Sequence, residues 1–538
     1  MKSSWYKNAI FYSLNVETYF DSNGDGTGDF QGLIQKLDYI SGLGATCIWL
    51  IPFYKSSNRD NGYDVVDYYS VDPRYGTLGD FAEFVSKADD LGVKVIIDLV
   101  VNHTSVHHPW FQDARKNRNS SYRDFYVWSD KPLPFKKEDL MFTGEEETMW
   151  TYDDLAGQYY LHRFYKEQPD LNVGNPKVQD EILKIIGFWL KLGIHGFRVD
   201  AAELLVENYG MQEVDREQLI RFINDMRKHT VHEKGDAILL AEVNGNPDKI
   251  RSFLTEERMH MMFNFYINQY FFLSLALEDA APLEKALGQM PEIRHDQQWL
   301  NFLRHHDELT LSLLSHDDRQ KVFQKFAPDA DMQIYGRGIR RRLAPMLNNN
   351  TEYLEMCYSL MFSLPGTPLI RYGDEILMGD DLSLPGRASV RTPMQWSDGK
   401  HGGFSTAEAE DLVHNPVTKG EFSYKKVNVV NAQRDRESFL NWTESLISTR
   451  KQCPEIGTGT LKVLACDVPS VMAHCYHYKD EKMFFLHHLS KDRVTVFKKD
   501  LGLENLRLFD VFGCKEVKQF DDRFEINGYG YQWYRLVK

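Results

Sequence analysis

Short apolar runs rich in Val, Ile, Leu and aromatic residues alternate along the chain with longer stretches whose apolar positions recur every three to four residues. The short runs begin at Ile10, Cys47, Val93, Gly196, Ala237, Met262, Trp299 and Thr367. Near-continuous apolar character over so few residues is what a strand buried on both faces requires. The stretches between them, such as Phe30 to Leu43, Asp80 to Leu91 and Lys177 to Leu192, read as amphipathic helices. This alternation predicts an α/β fold, a (β/α)8 TIM barrel. Two gaps are too long for ordinary βα loops. Residues 104–173, rich in Tyr, Trp, Asp and Lys, predict a small inserted domain (domain B) after the third strand. Residues 312–352 predict a second insertion, mostly helical and charged. After Lys451 the pattern changes to short alternating segments, including Ser470 to Tyr478 and Gln532 to Val537. These predict a C-terminal antiparallel β-sandwich domain over residues 453–538, the barrel being assembled from residues 1–103 and 174–452.

Acidic residues recur where the strand-like runs end. Asp98 and then Asn102-His103 close the third run, Asp200 the fourth, Glu242 the fifth and His305-His306-Asp307 the seventh. A barrel delivers such positions to its C-terminal face, where its chemistry sits, so Asp200, Glu242 and Asp307 are candidates for one shared site. Cleaving a glycosidic bond with retention needs an ionised carboxylate as nucleophile and a protonated one as acid, about 5 Å apart. Arg198, two residues before Asp200, lies on the same side of an extended strand and would keep that carboxylate ionised. Glu242 follows the apolar run Ala237 to Ala241, and partial burial would raise its pKa toward that of an acid.

Composition narrows the classes. The chain has 538 residues, 42% of them hydrophobic, enough for a large core plus a smaller domain. A formal charge of −15 without a basic stripe argues against nucleic acid or an anionic membrane as partner. No apolar stretch is long enough to span a bilayer, and Met1-Lys2-Ser3-Ser4-Trp5-Tyr6 lacks the apolar centre of a signal peptide. The six cysteines (Cys47, Cys357, Cys453, Cys466, Cys475 and Cys514) show no Cys-x-x-Cys spacing and read as reduced thiols of a cytoplasmic protein. A homo-oligomer is compatible with this composition.

The stretches Asp98-Leu-Val-Val-Asn-His103, Gly196-Phe-Arg-Val-Asp200, Leu240-Ala-Glu242 and His305-His-Asp307 resemble, in order and spacing, the signature regions of the α-amylase family, glycoside hydrolase family 13. Gln168-Pro-Asp-Leu-Asn172, Asp60-Asn-Gly-Tyr-Asp64 and Gly366 to Glu375 extend the resemblance over essentially the whole chain. Asp307-Glu-Leu-Thr-Leu311, Gly338 to Pro345 and Val390-Arg-Thr-Pro-Met-Gln-Trp396 resemble the family's trehalose synthase (maltose α-D-glucosyltransferase) subgroup, which interconverts maltose and trehalose. The resemblance implies Asp200 as nucleophile, Glu242 as acid/base and Asp307 as the carboxylate gripping sugar hydroxyls. It implies that His103 and His306 donate hydrogen bonds to the bound glucosyl unit. Tyr63 offers a stacking face, and Asp60 with Arg391 holds the 4- and 6-hydroxyls and closes the pocket. The expected substrates are small α-glucosides, maltose and trehalose.

A separate loop, Asp21-Ser-Asn-Gly-Asp-Gly-Thr-Gly-Asp29, carries oxygen side chains at alternate positions, the chemistry of a calcium site. Its twelfth position is Gly32, which excludes an EF-hand. The expected ligands of one structural Ca²⁺ are Asp21, Asn23, Asp25, the Thr27 carbonyl and Asp29. A second family calcium position would involve Asn102 and Asp170.

The chain departs from the trehalose synthase pattern at His305, where Asn is usual, and at Arg371, where an aromatic residue is usual. Ala201 to Tyr209, after the nucleophile, and Leu384 to Val390 also depart. Isomerisation requires the released glucose to stay in a closed site and attack the glucosyl-enzyme before water does. The sequence therefore predicts glucosyl transfer between maltose and trehalose with some hydrolysis. The alternatives are an exo-acting α-glucosidase or another transglucosylase, and, against the intact carboxylates, a non-catalytic sugar-binding barrel.

Overall fold

The computed structural model describes residues 4–211, 214–254, 258–504 and 506–537; Met1-Lys2-Ser3 of the expected leaderless N-terminus lie outside them. Eight parallel strands close into a barrel: β1 (Phe11–Leu14), β2 (Cys47–Leu50), β3 (Lys94–Leu99), β4 (Gly196–Val199), β5 (Ile238–Ala241), β6 (Met261–Phe263), β7 (Gln298–Asn301) and β8 (Thr367–Arg371). Each pairs with its sequence neighbours, and β8 closes on β1 through Phe11 opposite Leu369. Every strand residue except Lys94 is buried, which is why the sequence shows apolar runs rather than alternation.

The helices form where cap and stripe agree. Pro176–Lys191 starts at Asn175, whose side chain accepts the Lys177 N–H, with Pro at the first position where no amide partner is needed. Its Val178, Ile182, Ile185, Ile186 and Trp189 form the buried stripe, each contributing about 1.5–3 kcal/mol by leaving water. Leu78–Asp90 opens on a Thr77/Asp80 capping box.

The excursions hold the site's walls. After β2 an antiparallel hairpin, Tyr54–Ser56 with Val65–Val71, carries Asp60 to Tyr63 in its connection. Asn58, Asn61 and Gly62 there adopt positive φ, and a Cβ on Gly62 would meet the Pro52 carbonyl at 2.6 Å. The inserted domain contains a three-stranded sheet (Trp128–Ser129, Gln158–Leu161, Trp150–Asp153) over an aromatic core in which Phe111 stacks on Trp128 at 5.5 Å. Within residues 312–352 the helix His316–Phe326 is joined by Gln333–Ile334 and Gly338–Ile339, which form a small sheet with Leu309–Thr310. Strands of two residues are too short to leave an alternation pattern.

At the C-terminus a five-stranded and a three-stranded antiparallel sheet enclose Val471, Phe484, Leu486, Val496, Phe524 and Ile526. The larger sheet docks on the barrel helix Thr351–Ser363, where Trp533 donates to Ser359 Oγ at 2.9 Å. All six cysteines are free thiols, and among the described residues no helix is long and apolar enough to cross a membrane.

Candidate active site

Arg198 organises the centre. Its guanidinium is 2% exposed and faces three carboxylates. Nη1 donates to Asp98 Oδ1 at 2.5 Å and to Asp200 Oδ1, and Nη2 pairs with Glu242 Oε1 at 2.8 Å. Nucleophile and acid candidates thus share one cation, an arrangement consistent with the short carboxylate separation of retaining chemistry. Ala201, directly after Asp200, adopts φ +44° and donates its N–H to Glu242 Oε2 at 2.8 Å. A non-glycine residue in that conformation costs about 1–2 kcal/mol; here the turn aims a backbone donor at the acid.

Burial and charge set the protonation. Burial pushes Asp98, beneath the Trp49 indole N–H, up to about 8 against the pull of Arg198. Burial likewise pushes Glu242 up to about 7, with Arg198 opposing and Asp200 adding to the rise. Asp200 is also raised by burial and drawn back by Arg198, which its anionic neighbours keep protonated. Asp307 goes the other way: burial would raise it, but Arg387, His306 and Arg391 outweigh that and hold it well below the usual carboxylate range.

The expected pairing of Asp60 with Arg391 is not what forms. Arg387 donates from Nη2 to Asp60 Oδ1 at 2.8 Å and from Nη1 to Asp307 Oδ1 at 2.7 Å, spanning the pocket end. Arg391 lies behind it, buried, donating to the His306 carbonyl at 2.9 Å, Asn61 Oδ1 at 2.6 Å and Asp307 Oδ1 at 2.6 Å. The short 3-10 turn Gly386–Val390 explains the exchange, since it brings Arg387 to the pocket and takes Arg391 under Asp307. Sequence reading missed Arg387; an arginine four residues before Arg391, in a stretch noted only as a departure, was the available signal.

The pocket spans about 810 Å³, counting the space open to solvent at its mouth. Asp60, Tyr63, His103, Asp200, Glu242 and Asp307 line it; Met141, Phe142 and Phe164 of the inserted domain and Phe265 add apolar surface. Arg198, His306 and Arg391 are buried supports rather than lining groups. His306 Nε2 meets the Tyr63 hydroxyl at 2.8 Å and Asp307 Oδ2 at 3.0 Å, its ring lying parallel to Tyr63. His103 Nε2 sits 3.2 Å from the Tyr63 carbonyl and 3.2 Å from Gln168 Nε2. The two unusual residues touch each other: Arg371 donates to the His305 carbonyl at 2.7 Å, while His305 Nδ1 accepts the Asp307 N–H at 3.0 Å.

In the Asp21–Asp29 loop, each carboxylate accepts local backbone N–H groups. Asp21 takes those of Asn23, Gly24 and Gly26, Asp25 that of Thr27, and Asp29 those of Ser22 and Gly32. Asn23 bonds Asp25 in both directions. The side chains offer only oxygen ligands, the atom type calcium takes, and in the structure these oxygens accept hydrogen bonds from the loop itself. The second calcium position is taken by protein: the Arg163 guanidinium pairs with Asp170 and donates to Asn102 Oδ1 at 2.8 Å, supplying the positive charge there. Among the described residues, His305, His306 and Asp307 also converge as metal-ligand types. Arg387 and Arg391 on Asp307 make that spot hostile to a cation.

The family profile "Alpha amylase, catalytic domain" matches residues 15–459. The trehalose synthase/amylase TreS of Mycolicibacterium smegmatis is 41% identical over 477 residues, covering 88% of this chain and 80% of its own. The trehalose synthase of Pimelobacter sp. is 38% identical over 550 residues, covering 99% and 96%. The crystal structure of α-amylase from H. orenii matches with a TM-score of 0.81 at 26% identity, covering 99% and 100%. The profile runs from the end of β1 past the last barrel strand and takes in each carboxylate gathered on Arg198, so the chain belongs to the α-amylase family.

Proposed function

We propose that the protein interconverts maltose and trehalose by intramolecular glucosyl transfer through a covalent glucosyl-enzyme, with some hydrolysis. The observation that carries action on disaccharides and chain ends is the closed pocket end. Arg387 straddles Asp60 and Asp307, so a terminal glucosyl unit fits against it and a longer chain cannot continue past it. The relatives named trehalose synthase support the choice of substrates.

Asp200 attacks the anomeric carbon and the glycosidic C–O bond breaks. Glu242, which burial raises to about 7, gives its proton to the leaving glucose oxygen. Asp307, kept ionised by two arginines, accepts hydrogen bonds from sugar hydroxyls. The glucose then turns, and a different hydroxyl attacks the same carbon. Its proton passes to Glu242 as the Asp200 ester breaks. Hydrolysis is the same second step with water as attacker.

Incubation with maltose followed by product analysis tests this. Trehalose is expected alongside minor glucose. Glucose alone would replace the isomerase reading with an exo-acting α-glucosidase, and no turnover would sink both. We also propose that Asp21, Asn23, Asp25, the Thr27 carbonyl and Asp29 hold one structural Ca²⁺, supported by their all-oxygen chemistry; the ion would brace the loop after β1 and takes no part in bond breaking.

A further inference from the structure

Arg387 and Asp60 close one end of the pocket, and Glu203 also lines it, close enough to Glu242 for the two carboxyl groups to feel each other's charge. Glu203 lies on the short helix Ala202–Val206 that follows the nucleophile, in one of the stretches departing from the trehalose synthase pattern. Its Oε2 sits 2.8 Å from Lys249 Nζ, and its side chain is 15% exposed. Lys249 belongs to the helix Pro247–Leu254 after β5, and its stem lies against Gly245, where an added Cβ would meet Lys249 Cδ at 2.8 Å and Cβ at 2.9 Å.

The pair continues into a chain of alternating charge. Lys249 also reaches Glu207 at 3.9 Å, Glu207 reaches Arg163 of the inserted domain at 3.5 Å, and Arg163 pairs with the fully buried Asp170. Glu203 is therefore held in the turn after Asp200 by the helix after β5, and that contact is tied through Glu207 to Arg163 of the inserted domain. A carboxylate fixed in this way, with no hydrogen-bonded partner among the described residues besides its lysine contact, presents acceptor capacity to whatever occupies the leaving-group side.

We propose that Glu203, positioned by Lys249, is the acceptor-binding residue of this enzyme. It takes hydrogen bonds from hydroxyls of the free glucose and thereby decides whether the glucosyl-enzyme passes its sugar to glucose or to water. This rests on the retaining α-glucosidic reading above. In the step concerned, the Asp200–C1 ester bond breaks, a bond from C1 to the acceptor oxygen forms, and the acceptor's proton goes to Glu242.

The test uses the full chain, p-nitrophenyl α-glucoside as donor and ¹³C-labelled glucose as acceptor. The readout is the ratio of labelled disaccharide to unlabelled glucose released. Glu203→Gln is expected to lower that ratio about tenfold, because an amide oxygen is a weaker acceptor than a carboxylate and the Lys249 ion pair is lost, and to raise the glucose concentration that half-saturates transfer. Lys249→Met and Gly245→Ala should lower the ratio in the same direction, and Lys249→Arg should restore most of it. A ratio and half-saturation within twofold of wild type in Glu203→Gln would overturn the proposal. So would equal losses of transfer and hydrolysis, which would mean that Glu203 only braces the turn after the nucleophile. No p-nitrophenol release by the wild-type enzyme would instead refute the underlying α-glucosidic reading.

Discussion

Removing the Arg387 guanidinium tests the pocket end most directly. In Arg387→Ala, Asp307 keeps Arg391 at 2.6 Å and His306 at 3.0 Å, so its charge remains paired. Asp60, 7% exposed, keeps only the Gln168 amide at 3.3 Å among the side chains bonded to it. Breaking a buried ion pair costs about 3–5 kcal/mol. Water entering the opened pocket would solvate Asp60 and offset part of this, leaving about 2–3 kcal/mol in kcat/KM for maltose, or roughly 30–150-fold. Arg387→Lys should recover little, because one ammonium cannot reproduce a planar fork serving two carboxylates. Arg391→Ala should differ in kind: it removes three buried anchors and should appear first as a lower Tm. The assay is initial-rate kinetics on maltose and maltotriose alongside thermal melts of each variant. If Arg387→Ala stayed within threefold of wild type on maltose and gained nothing on maltotriose, Arg387 could not be closing the pocket end.

The other expected outcomes concern single groups. Asp200→Ala should abolish turnover while its melt stays cooperative; near-normal activity would remove it from the nucleophile's role. Because Glu242 is raised to about 7 and must be protonated to act as acid, kcat/KM for maltose should fall as pH rises through that value; a flat profile to pH 9 would assign the acid elsewhere. Chelation with EDTA should lower Tm more than it lowers the initial rate, and an unchanged Tm with no calcium in the purified protein would leave the Asp21–Asp29 loop a self-bonded turn. The wild-type enzyme should leave the viscosity of soluble starch unchanged; rapid thinning would require an open cleft.

How far the sequence could be read depended on how local the geometry was. Arg198 on β4 and Asp200 just past its end are two residues apart, so alternation put them together, and the structure adds Asp98 of the adjacent strand as the third carboxylate. The barrel was legible for the same reason, since strands buried on both faces leave unbroken apolar runs. The pocket end was not, because it depends on how one short turn routes two arginines four residues apart. The Arg163 guanidinium between Asn102 and Asp170 was equally hidden: its partners come from both ends of the inserted domain, and no spacing rule links them.

Those long-range placements give the pocket its electrostatic balance. Five carboxyl groups, those of Asp60, Asp98, Asp200, Glu242 and Asp307, meet three guanidinium groups, those of Arg198, Arg387 and Arg391. Five ionised carboxylates would leave two uncompensated negative charges in a desolvated site, a costly arrangement. Burial raises Asp98 to about 8, Glu242 to about 7 and Asp200 as well, the direction that relieves this excess. The proton on Glu242 is the one the chemistry uses. Asp98 Oδ1 accepts from Arg198 Nη1 and Oδ2 accepts from the Trp49 indole N–H, so Asp98→Asn, which sets an NH2 donor against one of these donors, should lower kcat/KM. Asp98→Ala should not be tolerated, because it strips the Trp49 indole N–H and the Arg198 Nη1 of an acceptor in a fully buried site. Near-wild-type kcat/KM in either variant would show that Arg198 does not depend on Asp98 as its acceptor.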